Sequence, residues 1–175
     1  HCLLGSLLKD SESPIKVSII PRGQAALGYS MHQPNDKKLL LKEDLYSKIM
    51  VLFGGRIAED LKFKTISTGA FDDFEKATEI AKLIVTKYCF NNVISIELNQ
   101  TMQNYSHLSE QYKNTIYTEI NSLLKNLYKQ AEIILSNNFN CLEKIANKLL
   151  EQEEIIKEEI EELVGNKINS EKVCS

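Results

Sequence analysis

Ser67-Thr68-Gly69-Ala70-Phe71-Asp72-Asp73-Phe74-Glu75-Lys76-Ala77-Thr78 decides the reading of this chain, because a turn of small residues runs there directly into an amphipathic helix. Phe74, Ala77, Ala81, Ile84, Val85 and Tyr88 recur at spacings of three and four, so the pattern predicts a helix buried along one face from its first turn. Asp73 sits at the edge of that face. Local chemistry offers a plain role for it, since a carboxylate suits the positive end of a helix dipole and Ser67, Thr68 or Asp72 could each cap the helix. Spacing alone leaves that role and a more specific one both open.

Upstream of this stretch, Leu45, Ile49, Leu52 and Phe53 share a helical face that starts after Leu41. Gly54-Gly55 interrupts the pattern. Paired glycines cost about 1 kcal/mol each inside a helix, so they imply either a kink or close backbone packing. Arg56 and Glu59-Asp60 charge the segment beyond, where Arg56 could pair with a neighbouring acid, contact a next subunit or lie on a solvated face, and these residues are assigned to structure. At the start of the chain, His1-Cys2-Leu3-Leu4 is already in helical register, with Leu4, Leu7 and Leu8 on one face. Asp10-Ser11-Glu12-Ser13-Pro14 ends that helix. Ile15, Val17 and Ile19 then alternate with Lys16 and Ser18 as a strand, and Ala25–Ser30 follows at hairpin distance as a second. His32, beside Pro34 in a polar stretch, is not expected to be a ligand.

Downstream, residues 93–107 are polar and without a strong period. From about Leu108 to Ser136 a stripe of Ile116, Ile120, Leu123, Leu127, Ala131, Ile134 and Leu135 predicts the longest helix, broken by Asn137-Asn138. A second helix carries Leu142, Ile145, Ala146, Leu149 and Leu150, and a third carries Ile156, Ile160, Leu163 and Val164. Short turns between them imply an antiparallel helical lobe. The glutamates of 151–162 lack any calcium-loop spacing and read as a solvated face. The fold class expected is mainly α with a small β-sheet. Its predicted parts are a lobe over 1–107, a C-terminal helical lobe over 108–165 and a loose tail over 166–175.

A chain of 175 residues with a formal charge of -3 gives no basic footprint for nucleic acid or an anionic membrane surface. No apolar run approaches the roughly 20 residues of a membrane span. Cys2, Cys89, Cys141 and Cys174 show no paired spacing, which argues against a disulfide framework or a thiolate metal site.

Five further segments act together with the opening stretch: His1-Cys2-Leu3-Leu4-Gly5, VSIIPRG at 17–23, ALGYS at 26–30, LFGGRIAED at 52–60 and LLEQEEIIKEEI at 149–160. In this order they resemble the peptidase domain of the FtsH family of membrane-anchored, ATP-dependent zinc metalloproteases, over about residues 1–164. The resemblance makes His1 the second histidine of a His-Glu-x-x-His helix. It makes Asp73 the third zinc ligand, with Asp72 where the family usually has Asn. Cys89-Phe90 departs from the Gly-Met usual at that corner. The first histidine and the general-base glutamate are expected upstream of His1, so this chain is expected to supply two Zn2+ ligands and no catalytic residue of its own, and to be inactive by itself. The resemblance further implies an ATPase module using ATP and Mg2+, a membrane anchor outside this chain, polypeptide substrates held by main-chain pairing to an edge strand, and a homo- or hetero-hexamer. It places the parent protein in a mitochondrial inner membrane, a plastid or a bacterial inner membrane. Two rival classes are a non-catalytic ring-forming scaffold and a plain helical interaction module in which Asp73 is only a cap. The scaffold is expected to lack His-Glu-x-x before His1, and the interaction module is expected to have His1 and Asp73 pointing apart. Ligands of a shared tetrahedral zinc lie about 3.4 Å apart, and a relaxed metal-free pair is expected within about 8 Å.

Overall fold

The computed structural model describes residues 1–21, 28–32, 39–88 and 109–165. Its helices are α1 (Cys2–Leu7), α2 (Lys42–Phe63), α3 (Phe71–Thr86), α4 (Glu110–Asn137), α5 (Phe139–Gln152) and α6 (Lys157–Val164). Its strands are β1 (Pro14–Ser18), β2 (Tyr29–His32) and β3 (Glu154–Ile156). Mainly helical structure with one small sheet is the class that the sequence implies. The corner at Cys89–Asn92, the stretch 93–107, the tail 166–175 and the first half of the predicted Ala25–Ser30 strand lie outside the described residues.

α1 is short and buried on every side, which explains why six residues with so little polarity hold together as a helix. It packs against α2, α4, α6 and β1. Leu3, Leu4, Leu7 and Leu8 are its contribution to the core. Helix α2 starts where the Leu41 N–H donates to Asp44 Oδ2 at 2.8 Å, a side-chain cap of a first-turn amide. It ends at Lys64, which takes the left-handed conformation (φ 55°) as helix C-termini often do. The helix runs unbroken through Gly54-Gly55, so close packing rather than a kink is the use made of the two glycines.

α2, α3 and α4 pack on one another and are welded by three rings. Phe53 lies 5.2 Å from Phe74 and 5.3 Å from Tyr128, and Phe74 lies 6.4 Å from Tyr128, all in tilted or edge arrangements that suit the ring quadrupoles. Ala77, Ala81, Ile84 and Val85 form the buried face of α3, as their spacing predicts. Tyr88, read as part of that stripe, is instead 43% exposed, because the helix stops at Thr86 and the period no longer carries its side chain inward. On α4 the buried residues are Ile116, Leu123, Leu127, Ala131, Ile134 and Leu135, with Ile120 half-buried beside them. Ser109 caps this helix by accepting from the Tyr112 N–H at 3.3 Å.

The sheet is antiparallel with order β2-β1-β3. Val17 pairs with Ser30 on one side and with Ile155 on the other. β2 and β3 are therefore the two edges among the described residues. β3 was not legible as a strand: Ile156 reads as the first member of the last helical stripe, yet it lies in β3 and is 49% exposed, while Ile155 is fully buried against β1. Three residues are too few for alternation to be told from a helical start. The helix begins only at Lys157, where the Ile156 N–H donates to Glu159 Oε2 at 3.1 Å. The acidic run is tied down in places, with Lys16 at 2.7 Å from Glu154 and Lys148 at 2.9 Å from Glu159. Among the described residues no helix is long and apolar enough to cross a membrane.

Candidate metal site

His1 stands at the N-cap of α1, and its carbonyl accepts from the Gly5 N–H at 2.9 Å. Burial of Leu3, Leu4 and Leu7 fixes the axis of this helix, so the imidazole is carried to a set place against the middle of α2. There the ring Nδ1 contacts the Val51 carbonyl oxygen at 2.8 Å. A carbonyl only accepts, so Nδ1 carries the proton and, in the neutral ring, Nε2 carries the lone pair.

Asp73 reaches the same place from α3. None of Ser67, Thr68 and Asp72 caps that helix, whose N-cap is Ala70 without a side-chain bond. Ser67 is used one step earlier: its hydroxyl accepts from the Gly69 N–H at 3.1 Å and donates to Glu59 Oε1 at 2.7 Å, while its N–H donates to Glu59 Oε2 at 3.2 Å. Arg56 Nη2 donates to the Ser67 carbonyl at 2.8 Å, and its guanidinium lies 5.4 Å from the Phe74 ring centre. Arg56 and Glu59, assigned from sequence to structure without a partner being named, grip the turn that launches α3. They lie three residues apart and so share a face of α2, the one signal that could have found them. The hydroxyl bond first, and the amide bond with it, holds the Glu59 carboxyl below the ordinary carboxylate range.

His1 Nε2 and Asp73 Oδ2 face each other at 3.3 Å. Burial raises the Asp73 carboxyl above its usual range; Lys76 and the chain's amino group oppose the rise and Asp72 adds to it. A ring lone pair facing a carboxylate oxygen is a pair of acceptors, which stays together only with a proton or a cation between them. Zinc suits this donor set. One imidazole nitrogen and one carboxylate oxygen are ordinary ligands, bonds of about 2.0–2.2 Å place such atoms about 3.4 Å apart, and the Nδ1 bond to a backbone carbonyl is the outer-shell contact that orients a zinc-bound histidine. The side chains are 39% and 24% exposed, so solvent reaches the pair. Among the described residues no third His, Cys, Asp or Glu joins them as a metal cluster. His32 lies apart from the pair: its Nδ1 contacts the Glu12 carbonyl at 3.1 Å and its Nε2 contacts Ser30 Oγ at 3.0 Å.

A largely apolar cavity of about 340 Å³ opens beside His1, between the start of β2 at Gly28 to Ser30 and the Leu142, Ile145 and Leu149 face of α5. The juxtaposition of the His1–Asp73 pair, a strand that is an edge among the described residues, and this cavity comes from three separate parts of the chain.

Comparison with known proteins bears on what the site is for. The family model for peptidase family M41 matches residues 1–163. An ATP-dependent zinc metalloprotease FtsH of Caldicellulosiruptor bescii is 38% identical over 94% of this chain and 28% of its own length. The FtsH of Bacillus subtilis is 35% identical over 95% of the chain and 28% of its own length. A mitochondrial inner membrane m-AAA protease component of Saccharomyces cerevisiae is 32% identical over 94% of the chain and 22% of its own length. The chain thus spans about a quarter of the length of the curated relatives it matches.

Proposed function

Since this chain belongs to peptidase family M41 and is an FtsH-type peptidase domain, we propose that it serves an ATP-dependent zinc metalloendopeptidase in which His1 and Asp73 are two of the protein ligands of Zn2+. The observation that carries the proposal is the 3.3 Å approach of His1 Nε2 to Asp73 Oδ2, with Nδ1 already committed to Val51. When bound, zinc would supply a Lewis acid and a water acidic enough to yield hydroxide near neutral pH. The chain's own part is to orient the His1 lone pair through Val51, to present the Asp73 carboxylate from a turn clamped by Arg56 and Glu59, and to offer an apolar cavity beside His1 for a substrate side chain. β2 is an edge strand flanking that cavity, so an extended polypeptide could add to it by main-chain hydrogen bonds.

The other activities are proposed for a full-length protease that contains this domain. ATP with Mg2+, a membrane anchor, an organelle or bacterial inner membrane location and a hexameric ring are read from the kinship with FtsH-type proteases; sedimentation of the whole protein would check the ring. In the longer protein Asp73→Asn should abolish proteolysis and weaken zinc binding while the fold survives, because the amide is nearly isosteric but lacks the charge that holds the ion. Full activity in that variant would return Asp73 to a purely structural role.

A further inference from the structure

We infer that Gly55 is a positioning residue of the metal site: by carrying no side chain it leaves open the surface of α2 against which the His1 imidazole lies, and so keeps Nε2 directed at Asp73. The inference rests on the reading of His1 and Asp73 as metal ligands.

Neither Gly54 nor Gly55 is needed for its backbone, since among the described residues the only glycine with positive φ is Gly165. Both sit inside a continuous α-helix, where alanine is the better residue. What distinguishes the two is what a Cβ would meet. At Gly54 it would lie 2.9 Å from the His1 backbone nitrogen, 3.1 Å from Leu4 Cδ1 and 3.4 Å from His1 Cα. Those are largely main-chain contacts, and they set how closely α1 approaches α2. At Gly55 the Cβ would meet ring atoms alone: Nε2 at 2.8 Å, Cε1 at 3.3 Å and Cδ2 at 3.6 Å. The nearest is the very nitrogen that faces Asp73.

A methyl at Gly55 therefore strikes the far end of a side chain that can rotate about two bonds. The ring yields and the helix does not. Rotation away from Gly55 takes Nε2 out of the place where it faces Asp73, and because the imidazole is rigid it also shifts Nδ1 against the Val51 carbonyl. Alanine at 55 should thus damage the site while leaving the fold as stable as before or more so, and alanine at 54 should loosen the packing of α1 on α2. Opposite effects from adjacent, chemically identical substitutions are something a merely structural glycine pair would not give.

The test uses zinc chloride, with affinity measured on the full 175-residue chain by competition against a chromophoric chelator, and Tm measured in excess EDTA. For Gly55→Ala the expected result is affinity weaker by at least about tenfold, the size of effect seen when outer-shell support of a ligand is lost, with Tm equal to or above that of the unsubstituted chain. For Gly54→Ala the expected result is a lower Tm. Unchanged zinc affinity in Gly55→Ala, or a loss of affinity accompanied by a loss of Tm, overturns the inference. Asp73→Ala separates this from the underlying reading. If it too leaves zinc affinity unchanged, the metal site itself is refuted; if it weakens zinc while Gly55→Ala does not, only the role of Gly55 falls.

Discussion

Glu59 shows how one side chain can govern another it never touches. Its carboxylate accepts the hydroxyl and the N–H of Ser67, and Ser67 stands six residues before Asp73 at the mouth of α3. The lowered pKa of Glu59 gives these bonds a pH signature. A carboxyl whose folded value lies below its ordinary 4.5 stabilises the clamped turn fully above that value. The contribution is lost as pH falls from about 4.5 through the folded value. The Ser67 amide resonance is therefore expected to hold its position from neutral pH to about pH 5 and to move toward a random-coil shift below pH 4.5, tracking the carboxylate. In Glu59→Gln that acid step should disappear, and an unchanged step would mean that another carboxyl controls the turn. Arg56 adds to the same clamp from the other side, through the Ser67 carbonyl and the face of Phe74.

Among the elements, β3 is where periodicity misleads. Glu154-Ile155-Ile156 continues into a helical stripe, and the residue on that stripe is Ile156. The sheet reverses the assignment: Ile155, opposite Val17, is fully buried, and Ile156 points largely to solvent. Truncation separates the two readings. Ile155→Ala should destabilise the protein by about 2–5 kcal/mol, the usual cost of removing a buried aliphatic side chain. Ile156→Ala should cost well under about 1 kcal/mol. Denaturant melts of the two variants decide it, and equal losses would favour a helical Ile156. The elements that were legible, α2, α3 and α4, are long enough for four or more repeats of the 3.6 period, so a single deviant such as Tyr88 does not erase them. α1 was legible for a different reason, its residues being apolar at nearly every position.

Across the whole molecule, one hydrophobic cluster runs from α1 through α2, α3 and α4 to β3 and α6. His1 precedes α1 and Asp73 stands on α3, and the helix that packs on both α2 and α3 is α4. Leu127, nearly fully buried at the middle of α4 and one residue before the Tyr128 ring that meets Phe53 and Phe74, is the position where this dependence is testable. Leu127→Ala should lose about 2–5 kcal/mol and should lower far-UV and near-UV melting transitions together, since the elements share one core. A near-UV transition that falls while the far-UV one stays would show α4 coming away as a separate unit.

The chain by itself determined the helical period of α2 to α4, the presence of a small sheet near Val17, and a family resemblance that pointed to His1 and Asp73. Each is a local pattern or an ordered set of local patterns, readable without knowing what packs on what. Only tertiary structure decided that Ser67 serves Glu59 rather than the end of α3, that Arg56 and Glu59 belong to the site's support, that Ile155 rather than Ile156 enters the core, and that two glycines inside a helix mark the path of His1 across it. The physical reason is common to all four. Hydrogen bonds, ring contacts and steric clearances between residues distant along the chain depend on separations of a few ångströms, and those are set by how helices dock, which no period in a sequence records.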